Sequence, residues 1–101
     1  MDKLNLLDCT FRDGGYYCDW DFHGSIVKKY FEAISQSKVE IVEIGFRFMP
    51  QSKPLGPFAY SSDDFLKTLN LPSGVDYAVM VNASDLINYD YGIKEAVDSL
   101  F

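Results

Sequence analysis

An arginine and an aspartate stand side by side, Arg12-Asp13, just after the first apolar run of the chain and just before Gly14-Gly15. In a parallel α/β protein, ligands bind beyond the carboxyl ends of the strands, so a charged pair at this point lies where chemistry is done. A guanidinium presents a planar fork of donors that matches a carboxylate or an oxyanion. An aspartate is a hard oxygen ligand for a divalent ion of the magnesium or manganese type. Asp13 ahead of two glycines equally suits a turn residue that holds a bend through local hydrogen bonds. Asp8, at the end of the apolar run, suits a residue that ties down the following loop through backbone amides.

Glu43 is the second chemical signal. Side chains alternate along a strand, so Val39, Ile41 and Glu43 share a face. A carboxylate on an apolar face near a strand's carboxyl end is costly unless paired, and Arg12 at the end of the neighbouring strand is the obvious partner. Two readings stay open. The pair braces the top of a core, or Glu43 holds Arg12 rigid so that its fork meets a substrate oxyanion.

The remaining candidates are weaker. Tyr16 belongs to an aromatic group with Tyr17, Trp20 and Phe22. It packs the first loop or touches substrate. His23, the only histidine, precedes a helix and reads as a cap or surface group. Cys9 and Cys18 lack the spacing of a metal or disulfide motif and read as free thiols in a reducing cytosol. Gly14-Gly15 lacks the other glycines of a dinucleotide or phosphate loop.

Three strands and three helices must position these residues. Lys3 to Cys9 reads as strand one. Gly24 to Lys38 reads as a helix capped by Ser25, with Ile26, Val27, Tyr30, Phe31 and Ile34 on one face. Val39 to Gly45 is apolar on both faces, like a buried parallel strand. Ser61 ahead of Asp63 and Asp64 marks a short helix with Phe65, Leu66 and Leu69. Tyr77 to Val81 reads as strand three, and Tyr91 to Phe101 as a last helix. Strands begin about 35 residues apart, the rhythm of a (β/α) unit, eight of which fill roughly 250 residues in a closed barrel. Residues 1–101 thus read as the first three units of a (β/α)8 barrel, an incomplete domain with a parallel sheet, and as the N-terminal part of something longer. A parallel sheet cut here exposes an unpaired edge, which predicts self-association into a homo-oligomer.

Composition narrows the function. The 101 residues allow one domain, and a net charge of −6 without a basic stripe argues against nucleic acid and anionic membranes. No charged-then-apolar leader is visible, and no apolar run approaches the roughly 18 residues that span a bilayer. A cytoplasmic protein is expected.

The stretch Leu6-Leu7-Asp8-Cys9-Thr10-Phe11-Arg12-Asp13-Gly14-Gly15 resembles the strand-one signature of the HMG-CoA lyase-like superfamily, divalent-metal (β/α)8 barrels that include isopropylmalate synthase, citramalate synthase and 4-hydroxy-2-oxovalerate aldolase. Val39-Glu40-Ile41-Val42-Glu43-Ile44-Gly45-Phe46 is similar to the family's second strand, and Tyr77 to Val81 is compatible with its third. Gly14-Gly15-Tyr16, with Trp20 and Phe22, is most similar to the aldolase-like branch. The resemblance implies that Asp13 is a metal ligand, that Arg12 stabilises an enolate-like oxygen, and that Glu43 orients Arg12. It implies a Mn2+ or Mg2+ cofactor whose remaining ligands lie outside this chain, and a small carbonyl substrate such as a 2-oxo acid, cleaved or extended at a carbon–carbon bond. Where aldolases of the family carry a histidine for proton transfer, this chain has Tyr16, a poor base near neutral pH. An acyl-CoA-dependent Claisen synthase of the same superfamily and a non-catalytic, self-associating α/β module are the alternative expectations.

Overall fold

A computed structural model describes residues 4–88 and Lys94. Its centre is β2 (Ile41–Phe46), flanked by parallel strands on both sides in the order β1-β2-β3. The run Ile-Val-Glu-Ile is suited to this place, because a strand paired on both edges and covered by helices needs branched apolar side chains. Val42 and Ile44 have no exposed surface. They join Phe31 and Ile34 of α2 (Gly24–Ser35), Leu66 of α3 (Asp63–Leu66), and Phe11, Phe58 and Ala59 in one core.

β1 is only Leu7–Asp8, much shorter than the predicted Lys3 to Cys9. Leu4, Leu6 and Leu7 are 86%, 56% and 49% exposed, so the run is apolar yet largely uncovered among the described residues. β3 is Asp76–Met80, one residue earlier than predicted. The helix after β2 begins at Ser62, whose hydroxyl accepts from Phe65 N. Ser61, the predicted start, is instead buried at a positive φ of 40°. The cap of α2 also differs. His23 Nδ1 accepts from Ser25 N, and Ser25 Oγ lies 2.8 Å from the same nitrogen. His23 is therefore the cap, and Ser25 supports it. A further short helix, α4, runs Ala83–Asn88. The helix expected over Tyr91 to Phe101 falls outside the described residues.

The sheet carries one irregularity that matters for the site. Glu43 pairs with Ala78 but Gly45 pairs with Val79, so β2 has an extra residue between them. Partners in a parallel ladder share a face, so Gly45 turns to the opposite side from Glu43. Phe46, opposite Met80, returns to the side of Glu43. Ile44 and Gly45 both face the helix layer, where Gly45 lies against the carbonyl of Phe58.

Candidate functional site

The chain turns directly from β1 into a short helix, α1 (Thr10–Gly14), continued by a 3-10 turn over Gly15–Tyr17. The predicted glycine bend is absent. Gly14 and Gly15 both have right-handed helical angles, which any residue can adopt. Gly15 is needed for space: a Cβ there would fall inside the indole of Trp20. The start of α1 is held by Asp8, whose Oδ1 accepts from Thr10 N at 3.0 Å. Its first turn is pinned by Phe11, 1% exposed and ringed by Phe22, Tyr30, Phe31 and Phe58.

One residue after that anchor, Arg12 reaches across to β2. Its Nε donates to Oε2 of Glu43 at 2.7 Å, with the two side chains 25% and 15% exposed. This hydrogen bond raises the guanidinium above its already high pKa, against the opposing effect of burial, so the group stays charged. Among the described residues Nη1 and Nη2 donate no hydrogen bond, which leaves two N–H bearing corners of the fork for another group. The strand-two carboxylate and Arg12 therefore meet, although Arg12 reaches it from the helix after β1 and not from the strand end itself.

Asp13 lies beside them and makes only a long ion pair with Arg12. Its carboxylate is 71% exposed and 4.0 Å from Arg12 Nη1, and its backbone N–H makes a helical bond to Cys9 O. The turn role is replaced by a place in a helix. Among the described residues no three His, Cys, Asp or Glu side chains gather to hold a metal ion. Glu43 is engaged by Arg12 and Asp8 by Tyr30, so Asp13 offers one open hard-oxygen donor. It fits as a single member of a ligand set and is not a site alone. Tyr16 stands 62% exposed at the edge of an aromatic layer, its ring 4.8 Å from Trp20 and 6.0 Å from Phe46. Tyr17 is 94% exposed. Cys9 and Cys18 are free and half-buried.

Two supports of the site were not legible as such. Trp20 Nε1 donates to the carbonyl of Arg12 at 3.0 Å. To bring it there, Asp19 and Trp20 both take positive φ, 54° and 58°, conformations that cost non-glycine residues about 1–2 kcal/mol each. Bonds from Gly56 N to Asp19 O and from Lys53 Nζ to Asp19 Oδ1, both 2.8 Å, offset that strain. The second support is Tyr30, whose hydroxyl donates to Asp8 Oδ1 at 2.5 Å. Its place on the apolar face of α2 concealed a polar task.

The Asp8–Tyr30 bond has a pH signature. Burial alone would raise the Asp8 carboxyl, but the hydrogen bonds from Tyr30 and Thr10 together hold it below its ordinary value. Burial and the facing Asp8 carboxylate push Tyr30 far above a normal phenol. Stability from Asp8 is thus complete above the unfolded pKa of about 4 and is lost as pH falls through the lower folded value. Stability from Tyr30 is complete below about pH 10 and is lost as pH rises past it. Tyr30→Phe should destabilise the protein by about 1–2 kcal/mol at pH 7. Urea unfolding should show that gap narrowing below about pH 4 and above about pH 10. A gap constant across pH would mean the bond contributes nothing through ionisation.

No described helix is long and apolar enough to cross a membrane. No protein-family model matches the sequence, and no curated protein matches it. Among solved structures, the N-terminal domain of a putative aldolase from Bacteroides vulgatus matches with a TM-score of 0.76 and 32% identity, over 96% of this chain and 33% of that one. This chain therefore spans about a third of the length of the protein it matches. In fold and sequence alike, it is a small α/β unit with a three-stranded parallel sheet, similar to the N-terminal domain of that protein.

Proposed function

We propose that this chain is the N-terminal portion of an aldolase-like enzyme that makes or breaks a carbon–carbon bond next to a carbonyl. The observation that carries the reading is the 2.7 Å bond between Arg12 Nε, in the helix that follows β1, and Glu43, one residue past the end of the β1–β2 pairing. The guanidinium is anchored along one edge and keeps donors on the others. As the bond beside a carbonyl breaks, negative charge gathers on the carbonyl oxygen. A charged, pre-oriented N–H pair aimed there stabilises that charge without reorganising. Glu43 keeps the fork in one orientation, and in this reading Tyr16, 62% exposed, donates a hydrogen bond to substrate.

Asp13 in this reading is one ligand of a Mn2+ or Mg2+ ion, with the others outside this chain. Such an ion, when bound, polarises the carbonyl oxygen of a 2-oxo acid. The Arg-Asp-Gly-Gly stretch and its resemblance to HMG-CoA lyase-like enzymes support this assignment; the likeness to a putative aldolase supports only the aldolase-like reading. The three-stranded sheet then forms the first units of a (β/α)8 barrel. The apolar edge at Leu4, Leu6 and Leu7 is the kind of surface that later strands would cover.

Calorimetric titration of the whole protein with Mn2+, followed by assay against a panel of 2-oxo acids, tests the proposal. Asp13→Asn is expected to weaken Mn2+ binding about tenfold or more, the loss of at least 1.4 kcal/mol from one charged ligand. Unchanged affinity in that variant would end the metal role. Absence of carbon–carbon chemistry across the panel would end the assigned reaction.

A further inference from the structure

We infer that Trp20 is a positioning residue for Arg12, acting through the backbone rather than on substrate; the inference rests on the role proposed for Arg12 above. α1 is five residues long and is held at its start by Asp8 and Phe11. Arg12 lies in the last turn of this helix, which the backbone closes with bonds from Asp13 N to Cys9 O and from Gly15 N to Phe11 O. Trp20 adds two constraints from outside the helix. Its indole N–H binds the Arg12 carbonyl, and its ring occupies the space that Gly15 leaves by having no Cβ. Together these fix the register in which the guanidinium meets Glu43.

The surrounding chain is arranged to put the indole there. Asp19 and Trp20 adopt consecutive left-handed conformations, which fold the loop back over α1. Trp20 N bonds Gly15 O, and Phe58 N bonds Trp20 O. Gly56 sits so close to Trp20 O and Asp21 that no side chain fits. Phe46 and Phe48 meet the ring edge-on at 5.4 and 5.2 Å. Phe46 is available for this only because the extra residue in β2 turns it to the side of Glu43. A tryptophan that merely filled the core would need neither the strained pair nor the N–H bond. Its 6% exposure keeps it from contacting substrate directly, so any effect on catalysis passes through Arg12.

Trp20→Phe keeps an aromatic ring and deletes the N–H, and the test uses the whole protein. The chain has two arginines, Arg12 and Arg47, so their modification by phenylglyoxal, followed by peptide mass spectrometry, carries its own control. In Trp20→Phe the rate at Arg12 is expected to rise about three- to tenfold, as for loss of one hydrogen bond, while Arg47 is unchanged. With a 2-oxo acid substrate, kcat should fall about 10- to 100-fold with KM nearly constant, the pattern of a misplaced but present group. Trp20→Tyr serves as the second variant if Trp20→Phe fails to fold. Equal reactivity of Arg12 before and after, or a parallel rise at both arginines in a folded variant, overturns the inference. A selective rise at Arg12 in a protein without aldol chemistry supports the positioning and removes only the enzymatic reading.

Discussion

Arg12→Lys should lower kcat/KM of the whole protein for a 2-oxo acid by about 10²- to 10³-fold, the loss typical of one oxyanion donor. Charge is conserved in this variant, so the effect isolates geometry. Arginine serves Glu43 with Nε and still offers Nη1 and Nη2 on other edges of one rigid plane. Lysine brings a single ammonium on a flexible stem. Held by Glu43 it presents no fixed planar edge to substrate, and turned to substrate it loses its anchor. Stability should change little, by about 1 kcal/mol or less, because Arg12→Lys keeps a positive charge opposite the largely covered Glu43 carboxylate and so avoids the cost of leaving it unpaired. Rate and stability thus separate the two readings of the pair. A catalytic arginine shows a large rate loss with nearly unchanged urea unfolding. A structural brace shows the reverse, and that outcome would remove Arg12 from the proposed chemistry. Glu43→Gln should show a smaller loss in rate. Combining it with Arg12→Lys should add little, since both substitutions break the same unit.

The meeting of Arg12 and Glu43 was legible because it follows from two strong periodicities. Alternation assigns Glu43 to a face, and parallel β-α-β order puts the end of strand one beside it. What was illegible depends on close approach between segments distant in sequence. Gly14-Gly15 reads as a bend, because glycine most often signals backbone freedom. Here Gly15 is helical, and its lack of a side chain makes room for Trp20, which no local pattern announces. The same ambiguity hid the irregularity in β2. Ile44-Gly45 continues the apolar run, and only the glycine inside a strand hints at an extra residue there. Spacing assigns Tyr30 to the core face of its helix. The direction of its hydroxyl, toward Asp8 at the end of β1, is a tertiary fact. The first apolar run failed for a different reason: its leucines suggest burial, yet no neighbour covers them among the described residues.

The glycine in β2 carries the second large prediction. Gly45→Ala should destabilise the protein by about 3 kcal/mol, at the upper end of the range for overpacking. Most substitutions that add one methyl group are relieved by rotation of a side chain. Here the new Cβ would overlap the backbone carbonyl of Phe58 and crowd Ser61 Oγ. Neither can yield easily. Phe58 is 2% exposed within the core, and Ser61 is fully buried at a positive φ with its hydroxyl bound to the Phe58 carbonyl. Relief would require β2 to move off the Pro57–Ala59 turn or to lose its extra residue. The second route sends Phe46 to the wrong side of the sheet and strips Trp20 of its packing, so damage should spread from stability to the Arg12 site. Two other glycines calibrate the effect. Gly24→Ala meets nothing within 4 Å and should be nearly neutral. Gly74→Ala also meets nothing, but its φ of 78° should cost about 1–2 kcal/mol. Urea denaturation of the three variants at one pH ranks them directly. If Gly45→Ala proves no worse than Gly74→Ala, the contact between β2 and Phe58 is looser than its geometry requires, and the bulge does not lock Phe46 beneath the site.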